Sequence, residues 1–160
     1  MVLPPKTSYR IGLIADTHGY LPADVAEIFH GVDLIVHAGD IGAAAVVHHL
    51  EAIAPVIAVR GNMDNGPWAE TFPHRQSVRA GGVEIHVIHD VAHLQPQPPT
   101  GDHVAVVAGH THRSHVEHKH GVLYVNPGSA GAPRHGEKSS VALLRVRGTA
   151  ATVELAGLRE

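Results

Sequence analysis

Three features of the sequence predict an α/β fold built on two β-sheets. Its first half alternates short apolar runs of strand length with helix-length segments. Its second half packs strand candidates closely, with Gly-containing turns and no helix-length amphipathic stretch between them. Its size and composition, 160 residues of which 44% are hydrophobic and 17% charged, suit one compact domain spanning 1–160. A chain of this length buries about 68–70% of the surface it exposes when unfolded, so folding requires neither a disulfide nor a structural metal.

Tyr9–Ala15 is a continuous apolar run that opens into a polar loop, as a fully buried strand does. A helix should follow, with Pro22 in its first turn, Val25, Ile28 and Phe29 on one face, and Gly31 as its stop. Asp33–Ala38 reads as the second strand, Ala43–Ala54 as a helix ended by Pro55, and Val56–Val59 as the third strand. Strand, helix, strand, helix, strand with buried-strand composition predicts a parallel sheet, and ligands of such sheets bind beyond the carboxyl ends of the strands. From residue 76 the strand candidates are Gln76–Arg79, Val83–Ile88, Val104–Ala108, Ser114–Glu117, Val122–Val125, Ser140–Val146 and Ala151–Leu155. Gly81-Gly82, Lys119-His120-Gly121 and Arg147-Gly148-Thr149 suit hairpin turns, and His93–Asp102, with Pro96, Pro98 and Pro99, reads as a surface loop.

Several function classes fall away. The absence of Cys removes thiolate zinc sites, disulfide frameworks and cysteine nucleophiles. A formal charge of −3 offers no basic field for a nucleic-acid duplex. Neither a leader pattern nor a membrane-length apolar window is present, so a cytoplasmic location is expected, with no membrane partner. The sequence is silent on homo-oligomers. What stands out is 16 His, and their placement matters more than their number.

The polar residues at the predicted strand ends are Asp16-Thr17-His18, Gly39-Asp40, Gly61-Asn62, His89 and Gly109-His110-Thr111-His112. Asp-x-His leaving a strand points two ligands into one space, and His-x-His does the same where an extended segment curls into a loop. Asp16, Asp40, Asn62, His18, His89, His110 and His112 exceed the four positions of a tetrahedral zinc and suit two ions that share a carboxylate. His86 and His93 compete with His89, which is preferred for its place at the end of the run Val87–Ile88. Four imidazoles with hard oxygens suit divalent Mn, Fe, Co, Ni or Zn.

These five elements, in this order, resemble the calcineurin-like metallophosphoesterase superfamily. The stretch Asp16-Thr-His-Gly-Tyr-Leu-Pro22, His37-Ala-Gly-Asp40 and Asn126-Pro-Gly-Ser129 is similar to its small bacterial and archaeal phosphodiesterase branch. The resemblance runs from Ile11 to Arg134 and implies a four-layer α/β/β/α sandwich of two mixed sheets, the metallo-dependent phosphatase fold. It further implies that Asp16, His18 and His112 hold one metal, that His89, His110 and Asn62 hold a second, and that Asp40 bridges them. A hydroxide shared by the two ions would then attack a small phosphoester. It favours Mn2+, with Ni2+ next, and places Arg134, beside Pro133, where it could reach a substrate phosphate.

Two departures from the family pattern bear on mechanism. Asp90 follows His89 where Gly is common, and Gly61-Asn62-Met63-Asp64 puts Met where many relatives carry a His that serves the leaving group. Asp64 is then the nearest titratable group, otherwise an exposed loop carboxylate, and His37 is expected to support the site without ligating. Asn126-Pro127-Gly128-Ser129 suits a tight turn. The rival reading is a scaffold protein on the same fold, as in the retromer subunit that resembles this family, but that subunit has lost ligands that are all present here. A zinc β-lactamase-like hydrolase would need His-x-His-x-Asp-His, which is missing.

Overall fold

The computed structural model describes residues 1–95 and 97–159. Pro96, one of the three prolines that mark the loop His93–Asp102, lies outside the described residues. In chain order the elements are β1 (Ser8–Ile14), α1 (Val25–Ile28), β2 (Leu34–His37), α2 (Ala44–Glu51), β3 (Val56–Ala58), α3 (Pro67–Glu70), β4 (Arg75–Ala80) and β5 (Val83–Ile88). A 3-10 turn (Val91–Leu94), β6 (Val104–Val107), β7 (Ser114–Lys119), β8 (Val122–Pro127), β9 (Ser140–Arg147) and β10 (Ala150–Gly157) follow.

Among the described residues these strands make two five-stranded sheets, ordered β10-β9-β1-β2-β3 and β4-β5-β6-β8-β7. β1, β2 and β3 are parallel, as their apolar runs predict, and β9 returns antiparallel beside β1 before turning into β10. In the second sheet β5, β6 and β8 are parallel, flanked by antiparallel β4 and β7. The three Gly-containing turns join β4 to β5, β7 to β8 and β9 to β10, as the sequence suggests.

Period-two alternation sends successive side chains of each central strand into different layers. Ile11 and Leu13 of β1, Leu34 and Val36 of β2, and Leu144 of β9 meet Ile85, Val107 and Val125 from the other sheet. The opposite face of the first sheet, through Ile14, Ile35 and Leu143, packs on the helical layer at Phe29, Val46 and Leu50, with Trp68 of α3 partly buried against it. Outside the second sheet, Ile88, Val106 and Val122 are covered by Leu94 of the 3-10 turn. The order α/β/β/α is therefore present, with its last layer reduced to that turn.

The helices are shorter than the sequence suggests. α1 begins at Val25, after a turn in which the Val25 N–H donates to Pro22 C=O at 3.2 Å, and Asp24 directs its carboxylate to the Arg159 amide at 2.7 Å instead of capping the helix. α2 stops at Glu51, since Pro55 disfavours helical backbone at the residue before it. α3 and the 3-10 turn lie in stretches to which the sequence assigns no helix. No helix among the described residues is long and apolar enough to cross a membrane.

Candidate metal centre

The polar residues beyond the carboxyl ends of β1, β2, β3, β5 and β6 meet at one end of the two sheets. The β1–β2 pairing continues past both strands through Asp16 N–H to Gly39 C=O at 3.0 Å and His18 N–H to Asp40 C=O at 3.0 Å. Gly109 N–H to His89 C=O, also 3.0 Å, joins the loops of the second sheet in the same way. Asp16, His18, Asp40, His110 and His112 all adopt positive φ, between 47° and 75°. Side-chain-bearing residues in the left-handed region cost roughly 1–3 kcal/mol each and persist where the surroundings hold them. Close approach adds a second demand at Gly61, where a Cβ would stand 2.2 Å from Asp40 Oδ1.

Asp16, His18, Asp40 and His112 form a group able to hold a metal ion, their donor atoms lying within 4.8 Å of one another. His18 Nε2 is 3.3 Å from His112 Nε2, 3.6 Å from Asp40 Oδ2 and 4.0 Å from Asp16 Oδ1, and His112 Nε2 is 3.6 Å from Asp16 Oδ1. Donors bound to one ion at ~2.0–2.2 Å sit roughly 3–4 Å apart, the spacing found here. Asp16 Oδ2 accepts the His110 amide, whereas its buried Oδ1 meets no donor among the described residues. Burial pushes the Asp16 carboxyl up to about 7, with the Asp40 charge adding to the rise and His89 opposing it. Burial also lowers His112, whose Nδ1–H donates to Ala132 C=O at 2.7 Å and leaves the Nε2 lone pair facing the group. An orphaned buried oxygen beside the His112 lone pair and the His18 imidazole fits a cation.

A second set of donors shares the Asp40 oxygen. His89 Nε2 is 3.3 Å from Asp40 Oδ2 and 3.0 Å from Asn62 Oδ1, which in turn is 3.3 Å from His110 Nδ1. His89 Nδ1–H donates to Ala38 C=O at 2.8 Å, again turning Nε2 toward the oxygens. Burial alone would raise Asp40, but the hydrogen bonds from His89 and from the Met63 amide, with the charges of His89 and His18, hold it below the usual carboxylate range. Burial pulls His89 down, and its contacts with Asp40 and Ala38 more than reverse this. Asp40 Oδ1 accepts the Met63 N–H at 2.9 Å, so the carboxylate is anchored through one oxygen and presents the other to both sets. All seven residues expected at the site are thus brought together, and His86 is not, since it pairs with Glu84 at 2.6 Å on the strand.

Several residues position this cluster. Fully buried His37 accepts the Gly39 N–H on Nδ1 and donates from Nε2 to Thr17 Oγ1, which donates to Ile41 C=O. Burial drives its pKa down to about 3, so it acts as a neutral strut beside the ligands. Asp64 is not an exposed loop carboxylate. It is buried and accepts the amides of Ile41, Gly42 and Gly61 at 3.1, 3.0 and 2.9 Å. The segment 126–129 does more than turn the chain: Asn126 Nδ2 donates to Gly109 C=O and Thr111 Oγ1, and Ser129 Oγ donates to Asp16 C=O. The similarity of Asn126-Pro-Gly-Ser to a branch motif is the sequence signal for that clamp. Asp90 caps the 3-10 turn through Ala92 N–H, Met63 is 61% exposed at the rim, and Arg134 is exposed yet near enough to lower both Asp16 and His112.

Carboxylates and imidazoles gathered at the strand ends of a two-sheet sandwich are the donor set of a metal-dependent hydrolase. The family model of the calcineurin-like phosphoesterase superfamily domain matches residues 9–149, and the chain belongs to that family. It is 34% identical over 151 residues to a probable metallophosphoesterase of Methanocaldococcus jannaschii, covering 83% of this chain and 74% of that protein. A phosphodiesterase of the same organism is 28% identical over 137 residues, 74% of this chain and 82% of the relative. Among solved structures, Vps29 of Chaetomium thermophilum shares the fold with a TM-score of 0.79 at 21% identity, over 94% of this chain and 86% of that one.

Proposed function

We propose that the chain is a dinuclear metal-dependent phosphodiesterase acting on a small phosphoester. The observation that carries this reading is Asp40 Oδ2 facing His18 at 3.6 Å and His89 at 3.3 Å, one oxygen for two sets of donors. Asp16, His18, His112 and Asp40 would hold one divalent ion, and Asp40, Asn62, His89 and His110 the other. Two such ions supply Lewis acidity, a water deprotonated near neutral pH, and a clamp on the attacking and leaving oxygens. The Met63 amide fixes the bridging carboxylate, and the carbonyls of Ala38 and Ala132 fix the tautomers of His89 and His112. Arg134 would donate both guanidinium edges to phosphate oxygens. Met63 has no proton to give and Asp64 is committed to three amides, so the turn at 61–64 favours esters with good leaving groups.

The donor set suits Mn2+, the ion favoured here, with Ni2+, Fe2+, Co2+ and Zn2+ as alternatives. The relative named a phosphodiesterase supports the ester class. We also take the chain to work as a single cytoplasmic domain on a small molecule rather than a nucleic-acid duplex, in line with its charge of −3. The scaffold alternative draws only on likeness of fold.

The test strips metal with a chelator, restores Mn2+ and follows nitrophenol release from bis(p-nitrophenyl) phosphate. Release should depend on metal, and its absence in the wild type sinks the proposal. Asp40→Ala should lower kcat/KM by more than ~10²-fold, beyond the 10–100-fold typical of residues that only orient a ligand.

A further inference from the structure

A pocket of about 350 Å³ opens beside the second set of donors, and Asn62, His89 and His110 are among its walls. Its size falls in the ~300–1,000 Å³ range of small-ligand sites. Arg60, Arg75, His74, His93 and Asp90 are the other polar side chains of its lining. His74 directly precedes β4 and His93 lies in the 3-10 turn, so two segments remote in sequence meet here.

Both arginines are built into the backbone next to metal-site residues. Half-buried Arg60 precedes Gly61-Asn62, its amide donates to Pro73 C=O at 2.8 Å, and its Nε donates to Asp64 C=O at 3.2 Å. Arg75 stands opposite Ile88 in the β4–β5 register, next to His89. Among the arginines of the described residues only Arg79, with Glu84, and Arg159, with Asp24 and Glu27, pair with carboxylates, so both pocket arginines belong to the unpaired majority. The pocket's own carboxylate, Asp90, is engaged by the Ala92 amide at 3.0 Å and lies 3.5 Å from His110 Nε2. A chain of net charge −3 thus keeps two guanidiniums without carboxylate partners, Arg60 held only through its Nε, at the edge of a cluster that would already hold one phosphate. Planar N–H forks of this kind match phosphate oxygens two at a time.

We infer that this pocket binds a second phosphate group, so that the preferred substrate is a phosphodiester that also carries a phosphomonoester. The inference rests on the phosphodiesterase reading above and names the substrate class for that site.

Three chromogenic esters with the same leaving group test it: bis(p-nitrophenyl) phosphate, thymidine 5′-(p-nitrophenyl phosphate), and that nucleotide bearing a 3′-phosphate. The first two separate a contribution of the nucleoside from that of the added phosphate. In the Mn2+-loaded wild type the 3′-phosphorylated ester should have a KM about tenfold below that of its unphosphorylated counterpart, the gain expected of one charge-assisted phosphate contact. Arg75→Ala should collapse that KM ratio toward one, and Arg75→Lys should restore part of it. Calorimetry of thymidine 3′-phosphate binding to the chelator-treated protein gives a readout free of turnover, with binding expected in the wild type and weakened at least about fivefold in Arg75→Ala. Equal KM values for the two thymidine esters, or an advantage that survives Arg75→Ala, overturns the inference. If no ester is cleaved, the phosphodiesterase reading fails and the calorimetry decides: no binding by the wild type overturns the subsite, and Arg75-dependent binding upholds it.

Discussion

Asp16 holds an ionisable group where water cannot reach it. Its carboxyl rises from 3.8 to about 7, so between those values the metal-free folded state keeps a proton that the unfolded chain has released. The unfolded state binds fewer protons there, and stability falls as pH rises through that window. Metal-free Asp16→Asn, which keeps the shape without the charge, should therefore be more stable than the wild type at pH 8 by roughly 2–4 kcal/mol. At pH 4 the two should match. Urea unfolding in chelator reads the difference, and equal stability at pH 8 would contradict the burial argument. His37 carries the opposite sign. Its pKa falls from 6.5 to about 3, so its contribution is whole above 6.5 and declines on acidification toward 3, because the unfolded chain takes a proton that the folded state refuses. The stability advantage of the wild type over His37→Gln should accordingly narrow between pH 7 and pH 4. The two effects oppose each other, which is why paired variants rather than the wild-type profile must be measured.

At the scale of elements, the donors stand on loops that only their neighbours hold in place. Asp64 joins the loop after β2 to the loop after β3 through three backbone amides. Asp64→Ala would orphan buried N–H groups at about 1–3 kcal/mol apiece, so chemical denaturation should show a loss of about 3 kcal/mol or more. A loss under about 1 kcal/mol would mean that water replaces the carboxylate. The strands were legible because β2 and most of β1, β6 and β8 are buried on both faces and so read as near-continuous apolar runs, while β5 alternates apolar with polar residues. The donors were legible because oxygen and imidazole side chains interrupt those runs at their carboxyl ends. The role of Asp64 was not legible, since a carboxylate in a Gly-Asn-x-Asp turn looks the same whether it faces solvent or three amides. α1 and α3 are single turns held by packing against the first sheet, which local propensity does not report.

For the whole molecule, the centre is a seam between sheets. Asp16, His18, Asp40 and Asn62 follow strands of the first sheet, and His89, His110 and His112 follow strands of the second. A bound ion would therefore tie the sheets together and stabilise the folded state by mass action, by about 2.7 kcal/mol at a hundredfold excess over Kd. For a chain of this size that corresponds to a rise in Tm of roughly 5–10 °C with Mn2+ over chelator, read by scanning fluorimetry. An unchanged Tm would argue against a centre that spans the two sheets. The sequence by itself determined the α/β class, the family and the order of donors along the chain, because buried strands and their polar ends are local patterns. Only the tertiary structure decided the strand order of the second sheet, the sharing of Asp40 Oδ2, the burial of Asp64 and the meeting of Arg60 with Arg75, because each depends on contacts between segments far apart in the chain.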